Sequence, residues 1–269
     1  MFEARLPQAS VLKKIVDVLK ELVKECNFEI SSEGIKLQAM DQSHVCLVTF
    51  QLRADGFEEG NFRCDKPGHL GINVENLQKI LKCAGNEDAL SLKADDGGDV
   101  LTLMFESSNR ERISDFDLKL MSIDTETLDI PDQEYASEIK MPSTEYQRIC
   151  RDLGSIGDTV AVSTSKEGVK FSTQGDVGTA NITCRHSTAS EKDDENVTVL
   201  IAEPVCLTFA LRYLNNFAKA TSLSPCVRIG LSKDVPVSVE YLIGDLGYMK
   251  FFLAPKIEED DEVKMEGDE

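Results

Sequence analysis

The most constraining feature of this sequence is an internal echo. Ser32-Glu33-Gly34-Ile35-Lys36-Leu37 returns 134 residues later as Lys166-Glu167-Gly168-Val169-Lys170-Phe171. The features around each copy recur in the same order: an amphipathic helix, a strand pair about the motif, a second helix, then a long strand pair. Solenoid repeats run roughly 20–50 residues, so this is a duplicated domain. The 269 residues thus divide into two units, each large enough to bury its own core. Tryptophan is absent and aromatics make up 6%, so both cores are expected to be aliphatic.

The spacing of Val11, Leu12, Ile15, Val16, Leu19, Leu22 and Val23 predicts a helix over 9–25 with Ser10 as its N-cap. Residues 35–53 alternate as strands do. Asn73 caps a helix from Val74 to about Cys83, stopped by Gly85. Strands near 88–94 and 98–105 meet through Asp95-Asp96-Gly97-Gly98, a hairpin signal, and another covers 110–120. In the second half Pro142-Ser143 opens a helix to Leu153, strands follow near 158–164 and 168–173, and Pro204 opens a longer helix to about Ala220. The last strands lie near 226–232, 235–243 and 247–253. Helices set among hairpin-joined strands imply an α+β unit with antiparallel sheet covered on one face. The expected organisation is an N-terminal domain 1–119, a connecting loop 120–136, a C-terminal domain 137–257, and a disordered tail 258–269 with eight acidic residues in twelve. The connecting loop carries Leu128, Ile130, Pro131 and Tyr135, apolar groups that need a surface to rest on.

The formal charge is −19, which taken alone argues against nucleic acid. The distribution argues otherwise. The four predicted helices hold ten basic residues (Lys13, Lys14, Lys20, Lys24, Lys79, Lys82, Arg148, Arg151, Arg212 and Lys219) against six acidic ones. Lys13, Lys20 and Lys24 fall opposite the apolar stripe of the first helix. Leu77-x-Lys79-x-x-Lys82 and Tyr146-x-Arg148-x-x-Arg151 share one pattern, and Arg212, Asn215 and Lys219 align on the fourth. Four cationic strips on an acidic chain suggest one surface facing a polyanion, through phosphate contact and without base readout. Ordinary solvated helix faces are the competing explanation.

Eight cysteines stand singly with no CxxC, which excludes a zinc ribbon or a dithiol centre and leaves them as small core residues. His44, His69 and His186 have no ligand spacing, and no phosphate-binding loop, HExxH or GxSxG is present. Neither an enzyme nor a metal or other cofactor is expected. A signal-peptide pattern is absent, and no apolar run approaches the roughly 20 residues that span a membrane.

Longer segments carry a resemblance. They are Met1-Phe2-Glu3-Ala4-Arg5-Leu6, Met40-Asp41-Gln42-Ser43-His44-Val45, Ile80-Leu81-Lys82-Cys83-Ala84-Gly85-Asn86-Glu87-Asp88, Ile149-Cys150-Arg151-Asp152-Leu153, Leu207 to Asn215, and Leu253-Ala254-Pro255-Lys256-Ile257-Glu258-Glu259. Over residues 1–257 the chain resembles the proliferating cell nuclear antigen family, the eukaryotic DNA sliding clamps. The resemblance implies a nuclear homotrimer closed head to tail around double-stranded DNA, with helices lining the hole. It implies tethering of DNA polymerase delta, flap endonuclease, DNA ligase and other proteins through short apolar and aromatic peptides, and loading by replication factor C. The client pocket it implies comprises Met40, His44, Val45, Leu47, Leu128, Ile130, Gln133, Tyr135, Pro236, Ala254, Pro255, Lys256 and Ile257. Lys166 matches the family's lysine for ubiquitin and SUMO attachment. Residues 57–70 read about two residues longer than the family pattern, Phe252 stands where tyrosine is common, and the tail is extended. An acidic adaptor or histone-chaperone-like protein that never encircles DNA is the alternative.

Overall fold

The computed structural model describes residues 1–124, 128, 130, 133–187 and 193–257; Pro131 and the acidic tail lie outside them. The first half runs β1 (Phe2–Leu6), α1 (Ser10–Leu19), β2 (Glu25–Ser31), β3 (Gly34–Met40), β4 (Cys46–Arg53), β5 (Phe62–Cys64), β6 (Gly68–Asn73), α2 (Val74–Leu81), β7 (Ala89–Ala94), β8 (Val100–Glu106) and β9 (Ile113–Lys119). The second runs β10 (Ser137–Pro142), α3 (Ser143–Gly154), β11 (Thr159–Ser165), β12 (Gly168–Gly175), β13 (Gly178–Cys184), β14 (Thr198–Ile201), β15 (Cys206–Ala210), α4 (Leu211–Phe217), β16 (Cys226–Leu231), β17 (Val237–Ile243) and β18 (Gly247–Leu253). The two orders are the same, element for element.

The echo marks the same turn in both halves. Gly34 and Gly168 have φ of +132° and +135°, a conformation open to glycine but not to residues with a Cβ. A Cβ would lie 2.0 Å from the Leu52 carbonyl oxygen at the first and 2.1 Å from that of Cys184 at the second. The Glu33 and Glu167 amides donate to the hydroxyls of Ser31 and Ser165 at 3.1 and 3.3 Å. Leu52 and Cys184 therefore occupy equivalent positions, and β4 is the counterpart of β13.

All strand pairs are antiparallel, in sheets ordered β5-β1-β7-β8-β9, β14-β10-β16-β17-β18-β4-β3-β2-β6 and β13-β12-β11-β15. The middle sheet crosses both halves because β18 pairs with β4 over seven residues, from Gly247 opposite Leu52 to Leu253 opposite Cys46. The counterpart of β18 is β9. The counterparts of the strands that join inside the chain, β9 and β13, are thus each an outer edge of a sheet.

Along β18, Met249, Phe251 and Leu253 are buried while Tyr248, Lys250 and Phe252 point to the other face. Phe217 of α4 stacks on Phe251, ring centroids 4.5 Å apart, so the helices cover the inner face. α1 touches α2, α3 touches α4, and the 3-10 segment Ala218–Leu223 touches both α1 and α3, giving one helical layer.

Several sequence expectations need correction. α1 ends at Leu19, and Lys24 and Glu25 are outside it. Leu22 and Val23 keep the helical apolar spacing because tight turns after the helix still bury them. Ser10 is the first helical residue and caps nothing, whereas Asn73 does cap α2 by accepting from the Asn76 amide at 3.0 Å. Pro204 opens no helix. Residues 206–210 form β15, with Phe209 buried opposite Val160, and α4 begins directly after it. Strands β1, β10, β13 and β14 were not foreseen. Not all cysteines are core residues, since Cys83 and Cys206 are exposed. Burial pushes the thiols of Cys26, Cys46 and Cys150 up to about 12, which leaves them inert.

Candidate functional site

A groove of about 950 Å³ lies on the outer face of the middle sheet. It is lined by Met40, His44, Val45, Leu47, Leu128, Ile130, Gln133, Tyr135, Pro236 and Ala254, ten of the thirteen residues expected there. Pro255, Lys256 and Ile257 do not line it. The Lys256 amide instead donates to the Thr208 carbonyl at 2.8 Å, and Ile257 projects into solvent. The Ala254 N–H donates to the Val45 carbonyl at 3.1 Å.

Strand alternation supplies lining residues that the sequence reading missed: Gln38 on β3, Thr49 and Gln51 on β4, and Tyr248, Lys250 and Phe252 on β18. A period of two, applied from Met40, Leu47 and Ala254, finds them. Gln38 also pins the connecting loop. Its amide donates to the Leu128 carbonyl at 2.8 Å and accepts from the Leu128 N–H at 2.6 Å. Val45 and Leu128 are 37% and 42% exposed, an apolar rim open to a partner.

One buried carboxylate shapes the end of the groove. Asp41 accepts from the amides of Ser43, Val45 and Cys46 at 3.2, 3.0 and 2.8 Å, from the Ser43 hydroxyl, and from the Tyr213 hydroxyl at 2.7 Å. This folds the loop that carries His44, at φ +56°, and Val45, and ties it to α4. Burial pushes the Asp41 carboxyl upward, but the hydrogen bonds outweigh it and hold it at about 2, below the usual 3.8. A depressed carboxyl contributes stability that is complete above the unfolded value and lost as pH falls through the folded one. Asp41→Asn is therefore expected to cost on the order of 2 kcal/mol at pH 7. The gap from wild type should narrow between pH 4 and pH 2. Urea melts at pH 7, 4 and 3 measure it, and a gap that stays constant with pH refutes the assignment.

On the inner side, Lys14, Lys20, Lys79, Lys82, Arg148, Arg151, Arg212 and Lys219 are exposed on the helical layer and Lys13 is half-buried. Lys20 is the residue closing α1 and Lys219 sits in the 3-10 segment. Many have carboxylate neighbours: Lys79 with Glu75 at 2.9 Å, Arg151 with Asp152 at 3.1 Å, Arg148 with Asp152 at 3.6 Å, and Lys20 with Asp17 at 4.0 Å. Such exposed pairs contribute roughly 0–1 kcal/mol, so a phosphate can exchange for the carboxylate at little cost. Two cations tie the halves together. Lys14 donates to the Ser222 carbonyl at 3.0 Å, and Lys219 lies 3.0 Å from Glu21. Lys13 donates to the Ala84 carbonyl. Lys166 is exposed in the turn between β11 and β12. Among the described residues no cluster of three or more His, Cys, Asp or Glu is placed to hold a metal.

Two copies of one α+β unit, sharing a sheet and covered by a single helical layer, are the fold of a DNA sliding clamp. The N-terminal domain of proliferating cell nuclear antigen matches as a family model over residues 1–128, and its C-terminal domain over 129–256. The chain belongs to the proliferating cell nuclear antigen family, whose clamps serve DNA replication as scaffolds without enzymatic activity.

Proposed function

We propose that this chain is the subunit of a homotrimeric ring that encircles double-stranded DNA. In this reading it tethers the replicative polymerase and other replication and repair proteins as a processivity factor. The observation that carries it is the pair of sheet edges, β9 and β13, that meet no further strand among the described residues. Transposing the β18·β4 junction onto β9 of one chain and β13 of the next sets Ser114 opposite Ile182 and Leu118 opposite Gly178, buried face against buried face. A head-to-tail contact of this kind makes a ring when its rotation closes; the count of three comes from the family. The helical layer would then face the hole. Binding would be retained by topology, so weak, sequence-independent phosphate contacts suffice. The −19 charge would keep DNA off the outer surface.

The expected result is protein retained on nicked circular DNA after enzymatic loading and lost when the circle is cut. Equal loss from both forms would favour the acidic-adaptor reading.

The outer groove is the proposed docking site for client peptides of DNA polymerase delta, replication factor C, flap endonuclease and DNA ligase, in the nucleus. Leu128→Ala removes an exposed side chain, so stability should hold while affinity for an apolar-aromatic peptide falls about tenfold. Fluorescence anisotropy reads this, and unchanged affinity would remove Leu128 from the site. Lys166, exposed in its turn, is the proposed point of ubiquitin or SUMO attachment during translesion synthesis.

A further inference from the structure

The outer groove does not stop at Tyr135. Beyond it lies a second cavity of about 410 Å³, and Gln133, Tyr135 and Lys250 line both. Tyr135 can lie flat between them because Gly230 has no side chain; a Cβ there would come within 2.4 Å of the ring. The floor of the second cavity is the outer face of β14, β10, β16 and β17. Strand register sets Thr198, Lys140, Arg228, Glu240, Lys250 and Thr49 directly opposite one another in one row. Side chains of directly opposed residues share a face, so the row leads from β14 into the first groove.

The three cations of this row face three carboxylates, Glu240 and Glu138 in the cavity lining and Asp194 beside Lys140, so these charges balance and what the cavity offers an anion is the hydrogen-bonding capacity of Arg228. Lys140 is drawn aside by Asp194 at 3.8 Å. Arg228 is 56% exposed and stands 4.0 Å from Glu240, beyond hydrogen-bond distance. Leu200, 62% exposed, closes the far rim.

We propose that this cavity is a second subsite for the same docking peptides, taking a carboxylate-bearing flank beside the anchor, with Arg228 as the main contact. The inference rests on the first groove being the client site. A guanidinium offers a carboxylate two parallel hydrogen bonds. The overall negative charge does not forbid this, because charges more than about 8 Å away are largely screened at physiological salt.

The test uses labelled peptides sharing one apolar and aromatic anchor. The anchor is flanked by neutral residues, by Glu on either side, or by Lys on either side. Each is titrated by anisotropy into the wild type, Arg228→Gln and Arg228→Glu. One Glu-flanked peptide should bind the wild type about fivefold more tightly than the neutral one. Arg228→Gln should abolish that advantage and Arg228→Glu should transfer it to the Lys-flanked peptide, with the neutral peptide unchanged throughout. The proposal is overturned if neither Glu flank improves binding, or if the advantage survives both substitutions. Failure of the neutral peptide to bind the wild type would instead overturn the first groove as the client site.

Discussion

Asn181→Pro is expected to turn a ring of three 29.8 kDa chains into single chains at micromolar concentration. The position follows from the duplication. The Arg53 amide on β4 donates to the Leu246 carbonyl at 2.8 Å, so alternate residues back to Thr49 turn their N–H groups towards β18. Leu52 corresponds to Cys184, and Thr49 therefore corresponds to Asn181. The Asn181 amide faces the free edge of β13, away from β12, and on the transposed register it meets Asp115 of the neighbouring chain. Proline removes that donor and puts its ring where the next strand must lie. A loss on the order of 3 kcal/mol at each junction is a factor of roughly 150 in its association. Within the chain the β12·β13 ladder keeps its bonds, so the melting temperature of the isolated subunit should change little. Light scattering gives the mass. A trimer that persists would show that subunits do not join edge to edge.

The second large effect concerns the inner face. Changing Lys82 and Arg151 together to Glu should lower loading on DNA at least tenfold at physiological salt while the ring mass stays constant. Both side chains are exposed, and neither lies on β9 or β13. Lys82 closes α2, so the reversal adds about 0.3–1 kcal/mol of unfavourable dipole interaction, too little to unfold the domain. In a trimer it reverses six inward charges. Each phosphate that the protein no longer neutralises lowers the salt slope by about 0.9, so the slope of retention against salt should flatten in step. Dissociation of the ring would mean that these residues hold the structure and do not serve DNA.

How much of this the sequence displays depends on what each element is held by. The duplication was legible because one turn demands glycine twice, at Gly34 and Gly168. α2 and α3 were legible because their starts carry local chemistry, the Asn73 cap and Pro142. The end of α1 was not, since Leu22 and Val23 satisfy helical spacing while being buried from turns. β13 alternates polar Thr179, Asn181 and Thr183 with Ala180, Ile182 and Cys184, a period-two signal that went unread, and β15 was missed because it is only five residues long and runs straight into α4. Family resemblance supplied most of the groove. Period-two reading of β3, β4 and β18 would have supplied much of the rest. The Gln38–Leu128 pairing spans ninety residues, and no local pattern announces it.

The shared middle sheet also bears on where such a ring would part. Around the proposed closed ring there are six strand-to-strand joints of one design, alternately within a chain and between chains. The internal ones have a strap: the connecting loop, pinned by Gln38, and the Lys14–Ser222 and Lys219–Glu21 ties across the helical layer. The joints between chains repeat the ladder without the loop. A loader prying at random would therefore find every second joint weaker, and a clamp assembled from duplicated halves would always open at a seam that leaves each polypeptide whole.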